Sequence, residues 1–133
     1  MMSIARPRRI LLVEDDSMVR EFVRSRLASA GYDTHTARTG AEALARLVAL
    51  RPDAMVLDLG LPELDGFEVL ASMQSDMSDH AAPTLVLTAS QSTDDVKRAV
   101  ALGARDYLVK SSVGQTLLPR LARMLRNDPR PVA

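Results

Sequence analysis

The stretch "AMVLDLGLPELDGFEV", residues 54–69, ends an apolar run with an acidic side chain and follows it with glycine, proline and a second glycine. The run before Asp58 has the length and apolar character of a strand that is buried on both faces of a parallel sheet. Pro62 and Gly66 are residue types that let a chain leave a sheet and turn into a helix. The stretch therefore predicts a strand, a turn and a helix, with a charge at the carboxyl end of the strand.

Short apolar runs of the same kind recur along the chain. Four of them predict buried strands, namely "RILLV", "AMVLD", "TLVLT" and "DYLVK", and the more polar "YDTHTA" predicts an edge strand. Alternation of such strands with helices predicts an α/β fold with a mostly parallel sheet and right-handed crossovers that cover both faces. Ligands of such sheets bind beyond the carboxyl ends of the strands, so the chemistry is expected there.

Helical segments separate the predicted strands, and their starts carry capping signals. The predicted pairs of cap and third helical residue are Thr39 with Glu42, Asp65 with Glu68, Ser92 with Asp95, and Ser112 with Gln115; Asp16 or Ser17 is expected to cap the first helix. The apolar faces are predicted to include Val19, Phe22, Val23 and Leu27 in the first helix, and Val96 and Val100 in the fourth. Gly31 and Gly103 are expected to end helices, because glycine readily adopts a positive φ.

Composition limits the classes of function. The 133 residues fit one domain, and Lys plus Arg and Asp plus Glu each number 17, so no global charge attracts nucleic acid or an anionic membrane. The absence of cysteine excludes disulfides and thiolate chemistry. The apolar run before Glu14 is too short for a signal peptide or a membrane span, which makes the cytoplasm the expected location.

The folded unit is predicted to cover residues 8–126, with residues 127–133 as a tail or the start of a linker because they contain two prolines and little to bury. These 133 residues leave no room for a DNA-binding helix-turn-helix after Arg126. The sequence leaves open whether the domain acts alone or belongs to a longer protein.

Polar side chains follow most of the predicted strands. They are Glu14, Asp15 and Asp16 after the first, Asp58 after the third, Thr88 after the fourth and Lys110 after the fifth. Clustered carboxylates stay ionised together only if a cation offsets their charge, and hard oxygen ligands suit Mg²⁺. The Gly60 carbonyl is placed to complete the ligand set. Asp58 could then attack phosphorus, with Lys110 and Thr88 contacting the phosphoryl oxygens.

Four stretches in this order, "ILLVEDD", "MVLDLGLPELDGFEVL", "TLVLTA" and "GARDYLVK", closely resemble the receiver domain of two-component response regulators. The resemblance covers nearly the whole chain and implies a flavodoxin-like (βα)5 fold with strand order 2-1-3-4-5. It implies that Asp58 is the phosphoacceptor, that Asp15 binds Mg²⁺ directly and Glu14 through water, and that Gly60 supplies a carbonyl. Asp16 is expected to have a capping or surface role.

The resemblance also implies partners and a switch. A phosphohistidine on a sensor kinase or a phosphotransfer protein would be the donor, and the domain would catalyse only its own phosphorylation and dephosphorylation, without being an enzyme for a separate substrate. Thr88 and Tyr107 would respond by changing the surface of helix 4, strand 5 and helix 5. That surface would bind a downstream protein or a second copy of the chain, with no direct contact to nucleic acid or membrane.

Ser111 departs from the family pattern, and the effect of Gly60 on the reaction is open. Ser111 follows Lys110 where the family usually has proline, and a cis bond to a residue other than proline costs about 2.5 to 4 kcal/mol. Either a trans Lys110–Ser111 bond with a reshaped loop or a strained cis bond is therefore expected. Gly60 has no side chain to shield the acyl phosphate. The sequence leaves open whether this lengthens or shortens the lifetime of that phosphate.

Alternative functions and residue roles stay open at this point. A haloacid-dehalogenase-type phosphatase also uses a strand-end Asp with Mg²⁺, but it needs a second Asp where this chain has Gly60. A pseudo-receiver that serves as a binding scaffold needs no acceptor chemistry. Taken singly, Tyr107 is a packing aromatic, and His35 and His80 are structural or solvated. Arg120, Arg123 and Arg126 are expected to be solvated cations at a helix end.

Overall fold

The computed structural model of the protein describes residues 6–89 and 92–128, which form alternating strands and helices. The strands are β1 (Arg9–Val13), β2 (Asp33–Ala37), β3 (Ala54–Asp58), β4 (Thr84–Thr88) and β5 (Asp106–Val109). The α-helices are α1 (Ser17–Ser29), α2 (Gly40–Leu50), α3 (Gly66–Ser75), α4 (Thr93–Ala101) and α5 (Val113–Arg126). Short 3₁₀ turns cover Ser78–His80 and Lys110–Ser112. Of the predicted tail, residues 129–133 lie outside the described part of the chain.

The strands form one parallel sheet in the order β2-β1-β3-β4-β5, which confirms the flavodoxin-like order that the resemblance implied. The polar strand β2 lies at an edge, as predicted. Val13 pairs with Leu57 and Leu57 with Val86, so the carboxyl ends of the central strands lie level with one another.

Apolar side chains form a core on each face of the sheet. Successive residues of a strand point to opposite faces, so Leu11 and Val13 join the core that contains residues of α2, α3 and α4, whereas Ile10 and Leu12 join the core beneath α1 and α5. All four side chains are fully buried. The sheet therefore has helical layers on both faces, and the polar residues that end its strands lie at its carboxyl edge.

Most of the predicted helix caps are present. Asp16 Oδ1 accepts hydrogen bonds from the N–H groups of residues 18 and 19, and Asp65 forms a complete capping box with Glu68. The side chains of Thr39 and Ser92 each accept a hydrogen bond from the third helical residue. The predicted Ser112 cap is wrong, because the 3₁₀ turn leads directly into α5 and the Ser112 hydroxyl donates back to the Val109 carbonyl at 3.3 Å.

Two residues predicted for buried helix faces are exposed. Phe22 is 45% exposed and Val100 is 54% exposed, whereas Val23, Leu27 and Ala99 are buried. The helices contact the sheet through stripes narrower than the apolar pattern suggests. Phe22 lies at the edge of its stripe, where the Arg26 guanidinium stacks on the ring at 5.0 Å.

Backbone conformations follow the glycine prediction and add two unexpected residues. Gly31 and Gly103 have φ values of 94° and 102° just beyond the ends of α1 and α4. Among the described non-glycine residues, Arg51 and Glu63 also have positive φ, at 47° and 62°. Within residues 6–89 and 92–128, no helix combines the length and apolar character needed to cross a bilayer.

Candidate functional site

The sheet register brings the polar strand ends to one edge. Val13 of β1 lies opposite Leu57 of β3, so Glu14 and Asp58 follow as neighbours. Asp58 pairs in turn with Leu87, the residue before Thr88, and Thr88 pairs with Val109, the residue before Lys110. One carboxylate oxygen from each of Glu14, Asp15 and Asp58 lies within 4.8 Å of the others. The structure thus brings together the acids that the sequence predicted as metal ligands.

Lys110 joins two of these acids. Its Nζ atom lies 2.8 Å from Glu14 Oε1 and 3.2 Å from Asp58 Oδ2. Burial lowers the pKa of Lys110, but the hydrogen bonds and charges of Glu14 and Asp58 outweigh it and leave the pKa raised. The ammonium is therefore charged at neutral pH and partly offsets the carboxylates.

Glu14 is the most deeply buried acid of the site, with no exposed surface. Burial, together with the neighbouring Asp58, raises the pKa of Glu14 to about 7 despite the opposing effect of Lys110. Oε2 accepts a hydrogen bond from the Asp16 N–H at 3.3 Å, whereas Oε1 has its ion contact with Lys110 but no well-aligned hydrogen-bond donor. Lys110 is therefore the positive charge that the described structure places against the Glu14 carboxylate.

Asp58 is held from two sides at the end of β3. Its Oδ1 atom accepts a hydrogen bond from the Gly60 N–H at 3.0 Å, while Oδ2 contacts Lys110. A Cβ atom on Gly60 would lie 3.6 Å from Oδ1, so any side chain at this position would border the carboxylate. Gly66 allows the loop to return closely, since a Cβ there would lie 2.6 Å from the Asp58 carbonyl oxygen.

The donor set suits a small divalent cation. Three carboxylates converge, Asp15 is exposed to solvent, and Glu14 Oε1 lacks a good donor. Hard oxygen ligands with room for water are the environment that Mg²⁺ prefers. The residues present therefore fit Mg²⁺, and the carbonyl role of Gly60 stays a prediction.

The other predicted residues occupy different environments. Thr88 is 5% exposed at the end of β4, beside the register position of Asp58. Tyr107 is 39% exposed on the edge strand β5, where its carbonyl accepts a hydrogen bond from Arg120 at 3.4 Å. The structure thus places Thr88 at the site and Tyr107 on the outer surface, and the predicted inward movement of Tyr107 stays a prediction.

The peptide bond between Lys110 and Ser111 was expected to be either trans or a strained cis bond. The described residues contain no cis peptide bond, so the bond between Lys110 and Ser111 is trans. The strand β5 ends at Val109, and Lys110 follows it, as predicted, as the first residue of the turn. From there, Lys110 reaches both Glu14 and Asp58.

Sequence reasoning missed two sets of arginine contacts. Arg120 and Arg123, predicted to be solvated cations, contact the Asp106 carboxylate at 2.8 and 3.5 Å. Arg20, which carried no sequence signal, donates to the carbonyl oxygens of Glu14 and Asp15 at 3.0 and 3.2 Å. Arg120 and Arg123 join α5 to β5, and Arg20 joins α1 to the turn that precedes it. The spacing of residues along the sequence does not predict such contacts.

Comparisons with known proteins show the family to which the chain belongs. The sequence model of the response regulator receiver domain matches residues 10–122. Response regulator MprA of Mycolicibacterium vanbaalenii is 43% identical over 120 residues, which cover 90% of this chain and 51% of the relative. The chain thus spans about half the length of that curated relative.

Solved structures show the same fold. The chemotaxis response regulator CheY4 of Vibrio cholerae has a TM-score of 0.82 and 33% identity, with 90% of this chain and 99% of that chain covered. The receiver domain of the Francisella response regulator 1452 has a TM-score of 0.82 and 27% identity, with coverage of 90% and 97%.

Proposed function

We propose that Asp58 accepts a phosphoryl group in a Mg²⁺-dependent reaction, because this chain belongs to the family of response regulator receiver domains of two-component systems. The observation that carries the proposal is the Lys110 ammonium, which lies between Glu14 and Asp58 at 2.8 and 3.2 Å while Asp15 completes the acidic cluster. A lysine and a set of acids at one edge supply both signs of charge that phosphoryl transfer needs.

The donor in this proposal is a phosphohistidine of a histidine kinase or a phosphotransfer protein. An Asp58 carboxylate oxygen attacks the phosphorus, the P–N bond breaks, and the leaving imidazole keeps the electron pair of that bond and takes up a proton. Gly60 N–H, which holds Oδ1 at 3.0 Å, fixes the orientation of the carboxylate. The product is an acyl phosphate on Asp58.

The neighbouring side chains stabilise the transferred group. Lys110 already contacts Oδ2 of Asp58, so its ammonium is placed to pair with a phosphoryl oxygen. The Thr88 hydroxyl, at the adjacent strand end, donates a hydrogen bond to another oxygen. When bound by Glu14, Asp15 and Asp58, Mg²⁺ supplies neutralisation of the remaining negative charge.

The output of the proposed reaction is a change in a protein-binding surface. The phosphoryl group adds about 1.5 to 2 negative charges at neutral pH, enough to bias a two-state element. Thr88 and Tyr107 carry this change to α4, β5 and α5, a surface on which Val100 and Tyr107 are exposed. A downstream protein or a second copy of the chain would bind there.

Incubation with acetyl phosphate and Mg²⁺, followed by intact mass measurement, tests the proposal. The expected result is one added phosphoryl group in wild type with Mg²⁺. No group should be added when EDTA replaces Mg²⁺ or when the variant is Asp58→Asn. An unchanged mass would instead support a binding scaffold without acceptor chemistry. Continuous turnover of a general phosphomonoester would support the phosphatase.

A further inference from the structure

Arg20 of α1 reaches back across the turn that carries the acidic pair. A single guanidinium nitrogen, Nη1, donates to the carbonyl oxygen of Glu14 at 3.0 Å and to that of Asp15 at 3.2 Å. These are the backbone carbonyls of the two residues whose side chains enter the acidic cluster. Arg20 itself is partly buried.

The rest of this turn is also tied to the helix. The Asp16 N–H donates to Glu14 Oε2 at 3.3 Å, and Asp16 Oδ1 accepts from the N–H groups of residues 18 and 19. The Glu14 N–H donates to the Ala37 carbonyl of β2. Arg20 thus supplies donors to the carbonyls of residues 14 and 15, which lie beyond the sheet and before the helix.

We infer that Arg20 is a positioning residue for the Mg²⁺ ligands, an inference that rests on the proposed function. By fixing both carbonyls, its guanidinium restricts the backbone torsions that aim the Glu14 and Asp15 side chains. Groups that orient metal ligands from outside the ligand shell typically contribute roughly 10- to 100-fold to metal affinity. Arg20 acts through Glu14 and Asp15 and touches neither the metal nor the phosphoryl group.

Electrostatics alone makes the opposite prediction, which gives the inference a sharp test. Arg20 is a cation close to a cation site, so removing its charge should tighten Mg²⁺ binding if charge is its only contribution. If positioning dominates, removing the side chain weakens Mg²⁺ binding. The sign of the change therefore separates the two effects.

The experiment is a calorimetric titration of the whole chain with MgCl₂, applied to wild type, Arg20→Met, Arg20→Lys and Arg24→Met. Arg24 is the matched control, because it lies one turn further along α1 and pairs with Glu21. We expect Arg20→Met to bind Mg²⁺ about tenfold more weakly than wild type. Arg20→Lys keeps a charged donor, but its ammonium lies one bond closer to the backbone than Nη1 and should reach the two carbonyls less well, so its affinity should lie between those of wild type and Arg20→Met. Arg24→Met should resemble wild type.

Thermal unfolding in EDTA separates positioning from general stability. Equal or tighter Mg²⁺ binding by Arg20→Met, with or without a lower Tm in EDTA, would overturn the inference and leave the proposed function intact. If Arg20→Met does not fold, Arg20→Lys decides, since affinity equal to wild type would also overturn it. A wild-type chain that binds no Mg²⁺ would instead remove the metal site of the proposed function and this inference together.

Discussion

Lys110 is the residue through which the site balances its charges. It is the only cation that the described structure places within ion-pair distance of both Glu14 and Asp58. A cation in this position competes with a metal for the carboxylates and also pairs with phosphoryl oxygens. These two roles predict opposite effects when Lys110 is replaced.

Lys110→Met should therefore slow phosphorylation of the chain while leaving Mg²⁺ binding intact or tighter. We expect the rate with acetyl phosphate to fall at least about tenfold, because a charge-assisted contact to the transferred group is lost. Quenched-time mass measurements give the rate, and calorimetry gives the affinity. Lys97→Met, on the exposed surface of α4, is the charge-matched control. An unchanged rate would exclude Lys110 from the reaction.

The individual helices show which sequence signals are reliable. Thr39 caps α2 with a bond from the Glu42 N–H at 3.1 Å, whereas the similar Ser112 signal produces no cap on α5. Thr39→Ala should lower the free energy of unfolding by about 1 kcal/mol. Ser112→Ala should lower it less, because only the bond from its hydroxyl to Val109 is lost. Urea unfolding measures both, and a larger loss for Ser112→Ala would contradict the assignment.

Arg51 ends α2 in a left-handed conformation, with φ 47° and ψ 61°. This conformation is costly for a residue with a Cβ atom and free for glycine. Arg51→Gly should therefore raise the free energy of unfolding by about 0.5 to 1 kcal/mol. This net value allows for the greater conformational entropy that glycine has in the unfolded chain and loses on folding. Arg51→Ala keeps the Cβ atom and should give no gain. Equal effects of the two variants in urea unfolding would show that φ is not the cause.

The sequence predicted the elements well where a local rule decides them. The apolar runs located the strands, and Thr39 and Asp65 located helix starts. Strands β1, β3 and β4 are buried as predicted, whereas β5, predicted to be buried, is an edge strand with Tyr107 exposed. Local rules failed at Ser112, where a 3₁₀ turn replaces the cap, and at Phe22 and Val100, where the apolar pattern is wider than the buried stripe. These outcomes depend on how neighbouring elements pack, which the pattern of one element does not contain.

At the scale of the whole molecule, parallel pairing explains why the clustering of the polar strand-end residues was predictable. Residues that end neighbouring strands must meet at one edge, so Glu14, Asp58, Thr88 and Lys110 could be grouped from the sequence. The contacts that hold the group could not be predicted. Arg20 and the Glu14–Lys110 pair depend on the path of side chains through the turn, and the Asp106 contacts of Arg120 depend on how α5 lies beside β5.

The raised pKa of Glu14 predicts how stability depends on pH. Between the ordinary value of 4.5 and about 7, folded Glu14 keeps a proton that the unfolded chain releases. The contribution of Glu14 to stability without metal therefore falls as pH rises through this interval. Mg²⁺ needs the ionised carboxylate, so the stabilisation by Mg²⁺ should grow over the same interval.

Thermal unfolding with Mg²⁺ and with EDTA from about pH 5 to about pH 8 measures this dependence. We expect the difference in Tm to increase with pH for wild type and to change less for Glu14→Gln, which cannot ionise. A difference that is constant for wild type would show that Glu14 does not titrate in this range.

The central claim is that the charge cluster at the sheet edge directs a phosphoryl group to Asp58 and to no other acid. Borohydride reduction of the chain after incubation with acetyl phosphate and Mg²⁺ tests it most directly, because an aspartyl phosphate is reduced to homoserine. Peptide mass mapping should find homoserine at position 58 alone, and none when EDTA replaces Mg²⁺. Homoserine at position 15, or an absence of homoserine with Mg²⁺ present, would contradict the claim.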